Sequence, residues 1–182
     1  KAWRLAIRRV VPGHPLLAGA DATIYVRKRW IIVRNDLSAS LEAFLVAHEI
    51  GHFFLHQGNS LIFAVTASVL EPETDGSAAV KYVEAYGPRE RQELQANVFA
   101  REFLLPRSLA RTLFLEDARS ASRIEADLDI PREVVRLQLL DALLLPSLPP
   151  AQVSPLPKEP TKAQEPAVNS PHKYILVEAG PG

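Results

Sequence analysis

The chain has 182 residues, 47% hydrophobic and 23% charged, which suits one ordinary globular domain, or one domain plus an appendage, and excludes wholesale disorder and collagen-like classes. Lysine plus arginine equals aspartate plus glutamate, 21 against 21, so the chain has no global positive field with which to coat nucleic acid. With no cysteine, disulfide scaffolds and thiolate metal sites are excluded, and the composition fits a reducing cytoplasm.

In chain order, ATIYV and WIIV within residues 22–33 predict two short strands, joined by Arg27, Lys28 and Arg29 as a basic hairpin tip. Asn35 and Asp36 favour a turn, and Ser38 is placed to cap a helix from about Leu41 to His56, ended by Gly58 and Asn59. LIFAVTASVL, residues 61–70, predicts a strand, and EPETDGS, residues 71–77, a loop. Pro88 suits the first turn of a second helix, which runs to about Leu105 before Pro106 breaks it. Residues 107–145 predict two or three further helices. Within them SASRIEADLDI and PREVVRLQL form an αα pair whose core is expected from Ile124, Leu128, Ile130, Val134 and Leu137.

The first long helix contains HEIGH, His48 to His52. Residues four apart share a helical face, so both imidazoles can address one ion, with Glu49 beside them. Leu41, Leu45, His48, His52 and Leu55 form one apolar stripe, on which two unpartnered imidazoles would be costly to desolvate. A shared cation removes that cost. It also accounts for Gly51, a poor helix residue in mid-helix, where something approaches the backbone closely. His56 lies one turn beyond His52, about 5.4 Å along the axis, too far to join the same ion, and is expected as a helix-end residue. A catalytic zinc takes three protein ligands and leaves a fourth position for water. The three-histidine zincin pattern is excluded because Leu55 and Gly58 occupy its glycine and histidine positions. A carboxylate from another helix is then required, and RQELQANVFAREFLLP (91–106) supplies it. Glu93 is the preferred third ligand and Glu90, on nearly the same face, the alternative, with Asn97 placed to hold a ligand by hydrogen bond. Ala96 and Ala100 on that stripe allow close packing against another helix.

AHEIGHFFLH followed by ELQANVFAREFLLP resembles the ImmA/IrrE family of bacterial zinc metallopeptidases over about residues 20–106. The resemblance implies an α+β, zincin-like core, with a small β-sheet and an HExxH helix packed on a second ligand helix, followed by a helical tail. It implies Zn2+ held by His48, His52 and Glu93, Glu49 as catalytic base, and a protein substrate of the kind family members cut, a DNA-bound repressor. Tyr82, Tyr86 and Arg89 are equal candidates for the oxyanion donor.

The expected organisation is a core over residues 1–106, a helical extension over 107–145, a proline-rich linker over 146–172 and the truncated start of a P-loop domain over 173–182. Eight of the 15 prolines fall between Pro146 and Pro171, which predicts the linker. Residues 120–140 have the outline of a helix-turn-helix, but Arg132 and Arg136 are a sparse set for reading bases, and packing or substrate docking is the expected role. KYILVEAGPG is similar to the strand and glycine turn that open the nucleotide-binding loop of UvrD-like helicases. The lysine and hydroxyl residue that such a loop needs are absent before Gly182, so no ATP binding is expected of these residues, and any DNA contact is expected from a helicase part beyond them. The absence of methionine predicts a piece of a longer protein. No run of about 18 apolar residues offers a membrane span.

Overall fold

The computed structural model describes residues 4–56, 62–70 and 87–146. Four strands, β1 (Ala6–Val10), β2 (Ala22–Tyr25), β3 (Trp30–Arg34) and β4 (Ile62–Val65), form one mixed sheet in the order β1-β3-β2-β4. β2 and β3 pair antiparallel, with Ile24 opposite Ile31, and a 3-10 turn over Val26–Lys28 places Arg29 in the left-handed region as the expected hairpin tip. β1 runs parallel to β3 and was not expected from its sequence, AIRRV. It is an exposed edge strand held by backbone pairing, by Arg8 stacked 3.7 Å from the Trp30 ring centroid, and by the Arg9 ion pair with Glu42.

The strand expected over 61–70 is shorter than its composition suggested. β4 stops at Val65, and Ala67–Leu70 forms a 3-10 turn. The Asp21 carboxylate, which also binds Arg34, accepts from the Ala67 amide at 2.7 Å and draws the backbone away from the sheet.

Helix α1 (Ala39–Leu55) begins where Ser38 Oγ accepts from the Leu41 amide, and it packs on the sheet with Phe44, Leu45, Ala47 and Phe53 buried. A phenylalanine or leucine side chain contributes about 1.5–3 kcal/mol on full burial. Leu55 does not complete the apolar stripe. It is 51% exposed, because Phe53 and His56 take the inward positions of the last turn. Helix α2 (Pro88–Leu104) starts at Pro88 as expected, with the Gly87 amide donating to Glu90 Oε2 at 2.7 Å. Ala96 and Ala100 are fully buried and let α2 press against α1. A Cβ built on Gly51 would stand 3.2 Å from Ala96 Cα, so the glycine marks the place of closest approach.

The tail continues as α3 (Arg107–Arg111), a π-helical turn over Thr112–Glu116, α4 (Ala121–Leu128) and α5 (Arg132–Leu144). Ser120 caps α4, and Asp129 ends it in a left-handed conformation where glycine is common. Ile124, Ile130 and Val134 are buried as expected, but Leu128 and Leu137 are each 39% exposed. α5 turns Val135, Gln138, Leu139 and Ala142 inward instead, because its contacts are with α3 and the end of α2 as well as with α4. Gln138 donates to the Leu105 carbonyl at 2.7 Å and to Glu102 at 2.9 Å. One apolar core therefore runs from Ala22, Val33 and Phe44 through Leu105 to Ile124 and Val135. In the tail, Arg136 pairs with Glu133 and Arg123 with Asp127. Most of the expected linker and all of the expected P-loop strand lie in residues 147–182, outside the described residues.

Candidate metal centre

Helices α1 and α2 bring three ligand atoms to one point. His48 Nε2 and His52 Nε2 are 3.0 Å apart, and Glu93 Oε2 lies 3.2 Å from the first and 3.3 Å from the second. Among the described residues these form the single group of three or more such side chains close enough to hold one ion. Ligands about 2.0–2.1 Å from a tetrahedral zinc stand about 3.3–3.4 Å from each other, so the triangle has the size of one face of a zinc site.

The protons on this triangle decide what it can hold. Asn97 Oδ1 lies 2.8 Å from His48 Nδ1. An amide oxygen only accepts, so His48 carries its proton on Nδ1 and turns a bare Nε2 to the centre. Burial is the largest influence on His52 and lowers its pKa, favouring the neutral ring. Burial also acts to raise the Glu93 carboxyl, but contacts with the two imidazoles outweigh it and take the group down to about 2. In the tautomers that leave both Nε2 atoms bare, the triangle offers three lone pairs to one point, which a cation between them would hold together. Two imidazoles and a carboxylate, with no thiolate in the chain, suit zinc with an open fourth position. The rings are held from outside as well: His52 stacks on Phe63 with centroids 4.1 Å apart, and His56 Nδ1 lies 3.0 Å from His52 Nδ1.

The family model for the IrrE N-terminal-like domain, of peptidase family M78, matches residues 13–140. The chain belongs to this family. No curated protein matches it. The match extends past residue 106 through most of α5, so the region similar to the IrrE-like domain is longer than the two motif helices. With the family established and His48, Glu49, His52 and Glu93 all present, the IrrE-like domain is a zinc metallopeptidase.

Glu49 is fully buried next to the ligand pair on α1, and neither of its oxygens has a hydrogen-bond partner among the described residues. Burial pushes its carboxyl well above the usual range, and the charge of Glu93 pushes the same way. The Ile24 amide opposes both without completing a hydrogen bond. A buried carboxyl with no partner is expensive for a fold to keep without a use for it. Glu90, the alternative ligand, is occupied in capping α2. Of the oxyanion candidates, Arg89 lies in the exposed first turn of α2, while Tyr82 and Tyr86 lie outside the described residues. His56 caps the end of α1, as expected of a helix-end residue, and is not part of the ligand triangle. Its ring is only 7% exposed and is joined to both His52 and Gln95, contacts that no pattern within α1 signals.

Proposed function

We propose that the chain is an endopeptidase that hydrolyses a peptide bond in a protein substrate, with His48, His52 and Glu93 as zinc ligands and Glu49 as general base. The observation that carries the reading is the convergence of three lone-pair donors beside a buried carboxyl that has no partner among the described residues. Zinc held by His48, His52 and Glu93 would supply Lewis acidity, which lowers the pKa of water to about 7 and polarises a carbonyl. Glu49 takes a proton from the attacking water as its oxygen bonds to the carbonyl carbon, and delivers a proton to the amine as the C–N bond breaks. Burial raises its pKa above the usual carboxylate range, which favours the proton-carrying form that returns a proton to the amine. Asn97 fixes the His48 ring and its tautomer from behind.

A DNA-bound repressor is the substrate class that the family resemblance supports. The test is to measure zinc in the purified chain and then incubate it with helix-turn-helix repressors encoded beside its gene. Cleavage by the unsubstituted protein, abolished in Glu49→Gln with zinc retained, is expected. Zinc without cleavage of any neighbour would favour a metal-stapled sensor. The pairing with a helicase rests on KYILVEAGPG alone, and a parent sequence lacking Lys and Ser or Thr soon after Gly182 would remove it.

A further inference from the structure

The described residues give His52 a hydrogen-bonded partner behind its ring, as they give His48 one in Asn97, but the two partners differ in kind. An amide oxygen accepts whatever the solution conditions, whereas the partner of His52 is another imidazole, His56, which can donate or accept. If His56 Nδ1 carried a proton and gave it to His52 Nδ1, His52 would carry its own proton on Nε2, pointed at His48 and Glu93. That state cannot ligate a metal. The fold must select the other one.

Gln95, on the flank of α2, makes the selection. Its Oε1 lies 2.9 Å from His56 Nε2. The oxygen only accepts, so His56 carries its proton on Nε2, and a neutral ring has no second proton for Nδ1. His56 Nδ1 is then an acceptor, 3.0 Å from His52 Nδ1, which donates and leaves His52 Nε2 bare at the centre. Resting on the metallopeptidase reading above, we propose that Gln95 and His56 form a two-bond relay that sets the tautomer of His52, making His56 a positioning residue for the metal and not a ligand to it. The buried position of His56, its contact with Phe63 at 5.9 Å between centroids, and its place as the cap of α1 hold the relay in register.

The relay is testable without any substrate. In the metal-free 182-residue chain, nitrogen-15 spectra of the imidazoles, taken at a pH of about 8 so that unperturbed rings are neutral, report which nitrogen of each ring carries its proton. Protons on Nδ1 of His52 and Nε2 of His56 are expected; a proton on His52 Nε2 overturns the proposal. Zinc affinity measured by chelator competition supplies a second readout. His56→Phe keeps the ring shape but removes the acceptor, and it is expected to weaken zinc binding about 10–100-fold, the range typical for partners behind a ligand. His56→Asn places an amide oxygen near the Nδ1 position and is expected to restore most of that affinity. Gln95→Leu, which frees His56 to take either tautomer, is expected to cost less than His56→Phe. Unchanged affinity in a folded His56→Phe protein, or an equal loss in His56→Asn and His56→Phe with both folded, refutes the relay. Should the unsubstituted chain take up no zinc, the metallopeptidase reading fails instead, and the metal-free spectra still decide the relay.

Discussion

Replacing Gly51 with alanine tests whether the contact between the two ligand helices depends on the absence of one side chain. Considered within α1 alone, the change favours folding by about 1 kcal/mol, because glycine is the poorer helix residue. The packing opposes it. The new Cβ would stand 3.1 Å from Phe99 Cδ1, 3.2 Å from Ala96 Cα and 3.3 Å from Phe99 Cβ. Carbon contacts prefer about 3.5–4.0 Å. The Phe99 ring can swing aside, but Ala96 Cα is backbone, so relief requires α2 itself to retreat by a few tenths of an ångström. Overpacking of this kind costs about 1–3 kcal/mol. The helix gain offsets part of it, leaving a net loss of about 1 kcal/mol, or a fall of about 2–4 °C in the melting temperature of a domain of this size. Glu93 lies one turn before Ala96, so zinc affinity falls with stability. Thermal unfolding of the metal-free chain and chelator competition read the two effects. An alanine variant more stable by about 1 kcal/mol, with undiminished zinc affinity, would refute the packing argument.

Glu49→Gln is expected to retain zinc while losing cleavage by a factor of about 100 or more, as removal of a general base does, with metal content and peptide hydrolysis as the paired measurements. The same substitution has a pH signature in the metal-free protein. A carboxyl whose folded pKa is raised binds an extra proton when folded, so its unfavourable contribution is absent below the usual value of 4.5 and grows as pH rises toward the folded value. The glutamine variant should therefore be the more stable protein at neutral pH and lose that advantage in acid; denaturant titrations showing a pH-independent difference would contradict the burial of the charge. Glu93→Ala and His52→Ala should each abolish stoichiometric zinc, and full zinc in either variant would sink the ligand assignment. Ser38→Ala removes the cap of α1 and is expected to lower stability by about 1 kcal/mol in urea unfolding without altering the metal to protein ratio.

The ligand triad could be read from the sequence because each part of it is a local signal. His48 and His52 are four residues apart on an apolar helical face, and Glu93 shares a stripe with small alanines. Gly51 was legible for the same reason, as a helix residue out of place without a close neighbour. What escaped was set by partners distant in sequence. β1 has no hydrophobic alternation, and its strand state depends on the backbone of β3 and the face of Trp30. The strand expected over residues 61–70 ends early because its end is decided by Asp21, more than forty residues before it. The helical pattern of 120–140 puts Leu137 in the core, whereas the buried amide Gln138 shows that α5 is turned toward the end of α2. The link from His56 to Gln95 joins rings and an amide on two helices, and neither helix pattern alone contains it.

Helix α2 meets the ladder of His48, His52 and His56 with Asn97, Glu93 and Gln95, through separations of 2.8, 3.3 and 2.9 Å. All three contacts depend on a single rigid-body displacement. A slip of α2 by about 1 Å would disturb them together, straining the hydrogen bonds to Asn97 and Gln95, which weaken steeply beyond their normal range, and drawing Glu93 out of the ligand triangle. Substitutions along that seam should therefore be strongly non-additive: once one variant has loosened α2, a second has less left to lose, and double-mutant cycles should return coupling energies well above zero. The centre then behaves as one cooperative joint, intact or sprung as a whole.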